Sequence, residues 1–209
     1  MARCVVFCAG GFDGLMAPIK EDDYIIAADG GFSHVQALGI TPNCILGDFD
    51  SLGFIPEGAQ VFPVEKDDTD AMLAVRHGLA LGYKDFLFYG ALEGSRLDHT
   101  VANYQTLFYL AKHGAKGYLV GKEQTVTTLT NEKMEFPAGM QGILSVFAIG
   151  GKAEGVTLRG LKYTVENSTL TPDFPLGVSN RFTGKAASVE VKKGTLLMIY
   201  PKQWIMDNG

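Results

Sequence analysis

Asn43 to Ser51, NCILGDFDS, is a short apolar run that stops at two carboxylates flanking one aromatic ring. Cys44 to Leu46 reads as a buried β-strand, so Asp48 and Asp50 fall just past its C-terminal end. Carboxylates this close repel each other unless something neutralises them, and Mg²⁺ with oxygen ligands is the usual neutraliser where phosphate is handled. An isolated D-x-D is as often a solvated acidic turn. Its surroundings decide.

Three more segments share this layout. YIIAADGG (Tyr24 to Gly31) ends in Asp29, Gly30 and Gly31, and QVFPVEKDDTD (Gln60 to Asp70) ends in Lys66, Asp67, Asp68, Thr69 and Asp70. FLFYGALEGSRLDH (Phe86 to His99) opens into Gly90, Gly94, Ser95, Arg96, Asp98 and His99. Each run has strand length and precedes a helical pattern, giving β-loop-α units with polar residues at the strand ends. In an open parallel sheet that edge binds ligands. Chance scatters acids through loops without favouring one end of successive strands, so a shared metal and phosphate crevice is expected.

The helical patterns agree. Ala71 to Leu81 carries Met72, Val75 and Leu79 on one face, with Asp68 or Thr69 as N-cap and Gly82 as the stop, which puts Asp70 in the first turn. An acid there is favoured by the helix dipole whatever its function. A helix from Thr100 to His113 ends at Gly114 and presents Arg96, Asp98 and His99 to the strand ends. Asn103 follows His99 at i+4 and shares its side. A shorter helix near Ser33 to Leu38 stops at Gly39.

The chain has 209 residues and an apolar fraction of 46%, which describes a globular protein of one large or two modest domains. A net charge of −5 argues against a nucleic-acid partner, which calls for a basic face. The N-terminal apolar stretch is short and broken by glycines, so it reads as a first strand, and no membrane span is expected. Cys4, Cys8 and Cys44 match neither a zinc site nor a disulfide framework. Buried reduced thiols and a cytoplasmic location follow.

The helical signal ends near Lys122. Beyond it come short strand-like runs, TVTTLT from Thr125, GILSVFAIGG from Gly142, GVTLRGLKYTV from Gly155 and ASVEVKKGTLLMIY from Ala187, with turn residues between them. That pattern indicates an antiparallel sandwich or open barrel. The fold class is therefore α/β, with an N-terminal parallel-sheet domain over residues 1–123 and a C-terminal antiparallel β-sandwich over 124–209. In the second part Tyr163 reads as a core aromatic and Ser179-Asn180 as a turn.

Taken in order, ADGG (Ala28 to Gly31), GDFDS (Gly47 to Ser51), KDDTD (Lys66 to Asp70), GALEGSRLDH (Gly90 to His99), GLKY (Gly160 to Tyr163) and GVSN (Gly177 to Asn180) resemble bacterial thiamine pyrophosphokinases. The resemblance covers nearly the whole chain. It departs at Ser95, where the family usually has a second glycine before the arginine, and at Tyr163, where animal members tend to carry Trp. The resemblance implies transfer of a pyrophosphoryl group from ATP to the hydroxyethyl oxygen of thiamine, with Mg²⁺, in a homodimer whose site lies at the subunit interface. It also implies that Asp48, Asp50, Asp70 and Asp98 form the metal site, with Lys66 and Arg96 facing the phosphates. Asp70, Asp98, Arg96 and Lys66 are then the catalytic candidates. Asp29, Gly30, Gly31, Arg96, His99 and Asn103 would contact the nucleotide, and Tyr163, Ser179 and Asn180 the thiamine. D-x-D alone also allows a phosphatase, a sugar-nucleotide transferase or a non-catalytic nucleotide-binding module.

Overall fold

The computed structural model describes residues 2–65 and 67–203, and the chain divides into two compact units, Met1–Lys122 and Glu123–Gly209. The first unit contains β1 (Cys4–Phe7), β2 (Tyr24–Ala28), α1 (Gly31–Ala37), β3 (Cys44–Gly47), β4 (Gln60–Val61), α2 (Asp70–Ala80), β5 (Asp85–Tyr89), α3 (Leu97–Lys112) and β6 (Lys116–Val120). Its strands lie in the order β6-β5-β1-β2-β3-β4, and every pairing is parallel. The inner strands are apolar almost throughout because helices cover such sheets. The strand order reverses between β1 and β5. That switch point is where the loops leaving neighbouring strands diverge and open a crevice.

Strict β-α alternation fails twice. The connections from β1 to β2 and from β3 to β4 contain no helix, and β4 is a two-residue exposed edge rather than a full strand from Gln60. Pro63 explains part of this, since proline cannot donate to a ladder. Thr69 caps α2 by accepting from the Met72 amide at 3.2 Å, and α3 begins at Leu97, three residues before the expected start. Asp98 and His99 therefore sit inside its first turn.

The start of the sheet is held by an ion pair. Arg3 donates through Nε to Asp23 Oδ1 at 2.9 Å and through Nη2 to Oδ2 at 2.6 Å, and both residues are buried. Arg3 also donates to the Pro18 carbonyl, while the Lys20 amide donates to Asp23, so the pair fastens the end of the β1–β2 connection. Burial by itself would raise the Asp23 pKa. The bonds from Arg3 and the Lys20 amide, with the Arg3 charge, hold it below the usual carboxylate range.

The second unit contains β7 (Gln124–Thr130), β8 (Lys133–Phe136), β9 (Ile143–Ala148), β10 (Ala153–Arg159), β11 (Val165–Leu170), β12 (Asn180–Arg181), β13 (Ala187–Glu190) and β14 (Thr195–Pro201). All of its pairings are antiparallel, in the orders β12-β9-β14-β7 and β11-β10-β13-β8. Residues from both sets meet in one apolar cluster that includes Leu144, Val146, Val156, Val189, Leu196 and Met198. Alternation along β8, exposed then buried, shows how one face of each strand supplies that core. The run from Ala187 is two strands, broken at Val191–Gly194, where Gly194 takes φ 108°.

Candidate active site

A crevice of about 560 Å³ opens at the C-terminal ends of the parallel strands, lined from the loops after β1, β2, β3 and β5 and from the starts of α2 and α3. Asp29, Asp48, Asp50, Asp70, Arg96, His99 and Asn103 all line it. Asp29, Asp48, Asp50 and Asp70 thus meet at one crevice, whereas Asp98 is not among its lining residues. Among the described residues, one acidic group could hold a metal ion: ligand atoms of Asp29, Asp48 and Asp50 lie within 4.8 Å of one another.

Local backbone geometry creates this group. Phe49 has φ 59° and is buried, so the residue between the two carboxylates turns the chain while its ring anchors it. Gly47 (φ 149°) lets the end of β3 lie against Asp29, since a Cβ there would stand 3.0 Å from the Asp29 backbone. Asp29 itself has φ 47°, a left-handed conformation that aspartate tolerates better than most residues. Its Oδ2 accepts from the Ser51 hydroxyl at 2.7 Å, while its buried Oδ1 has no hydrogen-bond partner. A buried carboxylate oxygen without a donor is costly unless a cation or water meets it. The donor set, all carboxylate oxygen, suits a hard cation.

Asp70 lines the same crevice from the first turn of α2 but is not part of that acidic triad. Asp68 pairs with Arg76 at 3.0 Å. Asp98 pairs with Arg96 on an exposed turn, with Nη2–Oδ2 at 2.7 Å and Nε–Oδ1 at 3.0 Å. The hydrogen bonds and charge of Arg96 draw the Asp98 carboxyl down to about 2. Lys66 lies outside the described residues.

Several other expected contacts have structural duties. A Cβ on Gly31 would stand 1.9 Å from the Phe7 carbonyl oxygen, so this glycine lets α1 pack against β1. At Gly30 a Cβ would meet Ala9 at 2.8 Å. Asn103 is buried and donates to the Ala91 carbonyl at 2.8 Å, holding the turn after β5. In the second unit Tyr163 is 58% exposed, with Lys162 Nζ 5.2 Å from its ring centroid. Ser179 takes φ 60°, and Asn180 is buried. Cys4, Cys8 and Cys44 are free and buried, and burial pushes the Cys4 and Cys8 thiols up to about 12. Among the described residues no helix is long and apolar enough to cross a membrane.

A parallel α/β unit with carboxylates and glycine-bearing loops at its switch point has the build of a phosphate-handling enzyme. Residues 16–119 match the family model described as thiamin pyrophosphokinase, catalytic domain, and residues 127–196 match thiamin pyrophosphokinase, vitamin B1 binding domain. Thiamine pyrophosphokinase of Bacillus subtilis (strain 168) is 29% identical over 217 residues, which span 94% of this chain and 98% of that one. A crystal structure of thiamine pyrophosphokinase from Bacillus subtilis superposes with a TM-score of 0.82 at 26% identity, covering 97% of this chain and 100% of that one. Thiamin pyrophosphokinase from Candida albicans shares the fold, with a TM-score of 0.75 at 15% identity over 96% of this chain and 88% of that one. The chain belongs to the thiamine pyrophosphokinase family, and its activity is the family's, pyrophosphoryl transfer from ATP to thiamine. A phosphatase, a sugar-nucleotide transferase and a non-catalytic module all leave the match in the second unit without a reason.

Proposed function

We propose that Asp29, Asp48 and Asp50 hold Mg²⁺ at the floor of the crevice and that the triphosphate of ATP lies against the loops after β1, β3 and β5. The unpartnered, buried Asp29 Oδ1 beside two further carboxylates carries this reading. When bound, the ion offsets the negative charge gathered on the phosphate oxygens. Arg96 and Lys66 supply further positive charge to the same oxygens. Asp98 orients Arg96 by gripping two of its nitrogens. His99 lines the nucleotide side of the crevice, and Gly30, Gly31 and Asn103 shape it by packing and by holding the turn after β5.

Attack on the β-phosphorus requires the thiamine hydroxyl in line with departing AMP and a group to take its proton. Asp98, held near 2 by Arg96, is a poor acceptor. We assign the proton to Asp70, which lines the crevice from the first turn of α2.

A parallel-sheet α/β domain, residues 1–123, serves nucleotide and metal, and an antiparallel β-sandwich, residues 124–209, serves thiamine and dimer contacts. Tyr163 offers an exposed aromatic face that already accepts a cation, as the flat, positive thiazolium requires. Ser179 directly precedes Asn180, whose side chain holds the Tyr163 backbone. The three buried free thiols suit a reducing compartment, the cytoplasm.

A homodimer in which Tyr163 of one subunit completes the crevice of the other has a distinctive consequence. Asp70→Asn and Tyr163→Lys, the latter replacing the ring with a charge that repels thiazolium, each disable the homodimer. Mixed, unfolded and refolded together, they recover roughly a quarter of wild-type activity, because each mixed dimer owns one intact site. Activity that stays at the level of the separate variants despite proven subunit exchange excludes the shared site.

A further inference from the structure

The geometry points to Asn180 as a positioning residue that sets the pose of Tyr163 and does not itself touch thiamine. This rests on the reading of Tyr163 as the thiamine-facing ring. Asn180 is only 3% exposed. Its Oδ1 accepts from the Tyr163 amide at 2.9 Å and from the Arg181 amide at 2.9 Å, and its Nδ2 donates to the Tyr163 carbonyl at 2.7 Å. One side-chain amide thus grips both the N–H and the C=O of a single residue, which fixes the two peptide groups that flank the Tyr163 Cα.

The rest of the segment is laced to the same strand. The Lys162 amide donates to the Arg181 carbonyl at 2.9 Å, the Thr183 hydroxyl donates to the Gly160 carbonyl at 2.9 Å, and Leu161 bridges Phe182. Gly160, at φ 71°, lies so close to the Ala186 carbonyl that a Cβ would stand 2.0 Å from it. Gly160 to Tyr163 therefore hangs from Asn180 to Thr183, leaving the Tyr163 ring outside and its backbone held. The GLKY and GVSN motifs, far apart in sequence, form one device. Its buried half is the amide and its exposed half is the ring.

The test is a double-mutant cycle read as separate KM values for thiamine and ATP. Tyr163→Ala raises the thiamine KM about fivefold or more, the scale of one aromatic contact. Asn180→Ala raises the thiamine KM to a similar extent, with the ATP KM and kcat within about twofold of wild type, and adds nothing further in the Tyr163→Ala background. Asn180→Ser keeps one short hydrogen-bonding group and loses the two-sided grip on Tyr163, so it falls between wild type and Asn180→Ala. If Asn180→Ala does not fold, the same cycle is read with Asn180→Ser. Independent, multiplying effects on the thiamine KM would overturn the positioning role and restore Asn180 as a separate contact. Equal rises in both KM values would make it a structural residue only. An unchanged thiamine KM in Tyr163→Ala would instead remove Tyr163, and the positioning role with it.

Discussion

Asp48→Asn and Asp29→Asn each lower kcat by about a hundredfold, while the melting temperature stays within a few degrees of wild type. An amide keeps the shape of the carboxylate and removes the charge on which the proposed cation site depends. Loss of one such interaction is worth roughly 3 kcal/mol of transition-state stabilisation. Asp29→Asn is the sharper of the two. Asparagine tolerates the left-handed backbone at φ 47° as aspartate does, and its amide oxygen still accepts from Ser51, so the fold is kept. Steady-state kinetics with thermal melts check both. Near-normal kcat in a folded Asp29→Asn variant removes that residue from the cation site.

Asp23→Ala destabilises the first unit by about 3–5 kcal/mol, because it leaves the Arg3 guanidinium buried without its counter-charge. The same pair makes stability depend on acid. The Asp23 pKa is lowered in the folded state, so its contribution is complete above the unfolded carboxylate value and is lost as pH falls through the folded one. Urea unfolding across that acid range shows a falling midpoint in wild type, and the Asp23→Ala variant shows a shallower fall. Equal slopes in the two proteins contradict the assignment.

Much of the site was legible because its chemistry is written in short segments at strand ends. Period and capping placed Asp70 in the first turn of α2, and the apolar run before Gly47 placed Asp48 and Asp50 past β3. The family resemblance makes Asp29 a nucleotide contact, although the structure groups it with the D-x-D pair. Nothing in ADGG announces that grouping. It comes from the parallel pairing of β2 with β3, which sets Ala28 beside Leu46 and brings the next residues of both strands together. Asn103 and Asn180 have the same lesson. A polar residue in a motif invites a ligand, but its amide can be spent on the backbone of a neighbouring loop, and only tertiary structure reveals that.

In the second unit the strands with longer apolar runs are visible in the sequence, whereas β8, β11 and the two-residue β12, whose Asn180 reads as a turn, are not. Lys133 to Phe136 alternates polar and apolar over only four residues, and Val165 to Leu170 is an edge strand with a mostly exposed, polar sequence. Such strands take their identity from their partners in the sheet. The missing helices after β1 and β3 belong to the same category, since a loop leaves no periodic trace to contradict an expected alternation.

The most direct test of the central claim is product analysis of the wild-type protein incubated with ATP, thiamine and Mg²⁺, run in parallel with excess EDTA. Cation-dependent pyrophosphoryl transfer at the acidic crevice predicts equal amounts of AMP and thiamine diphosphate with Mg²⁺ and neither with EDTA. Undiminished formation of both products in excess EDTA would contradict it.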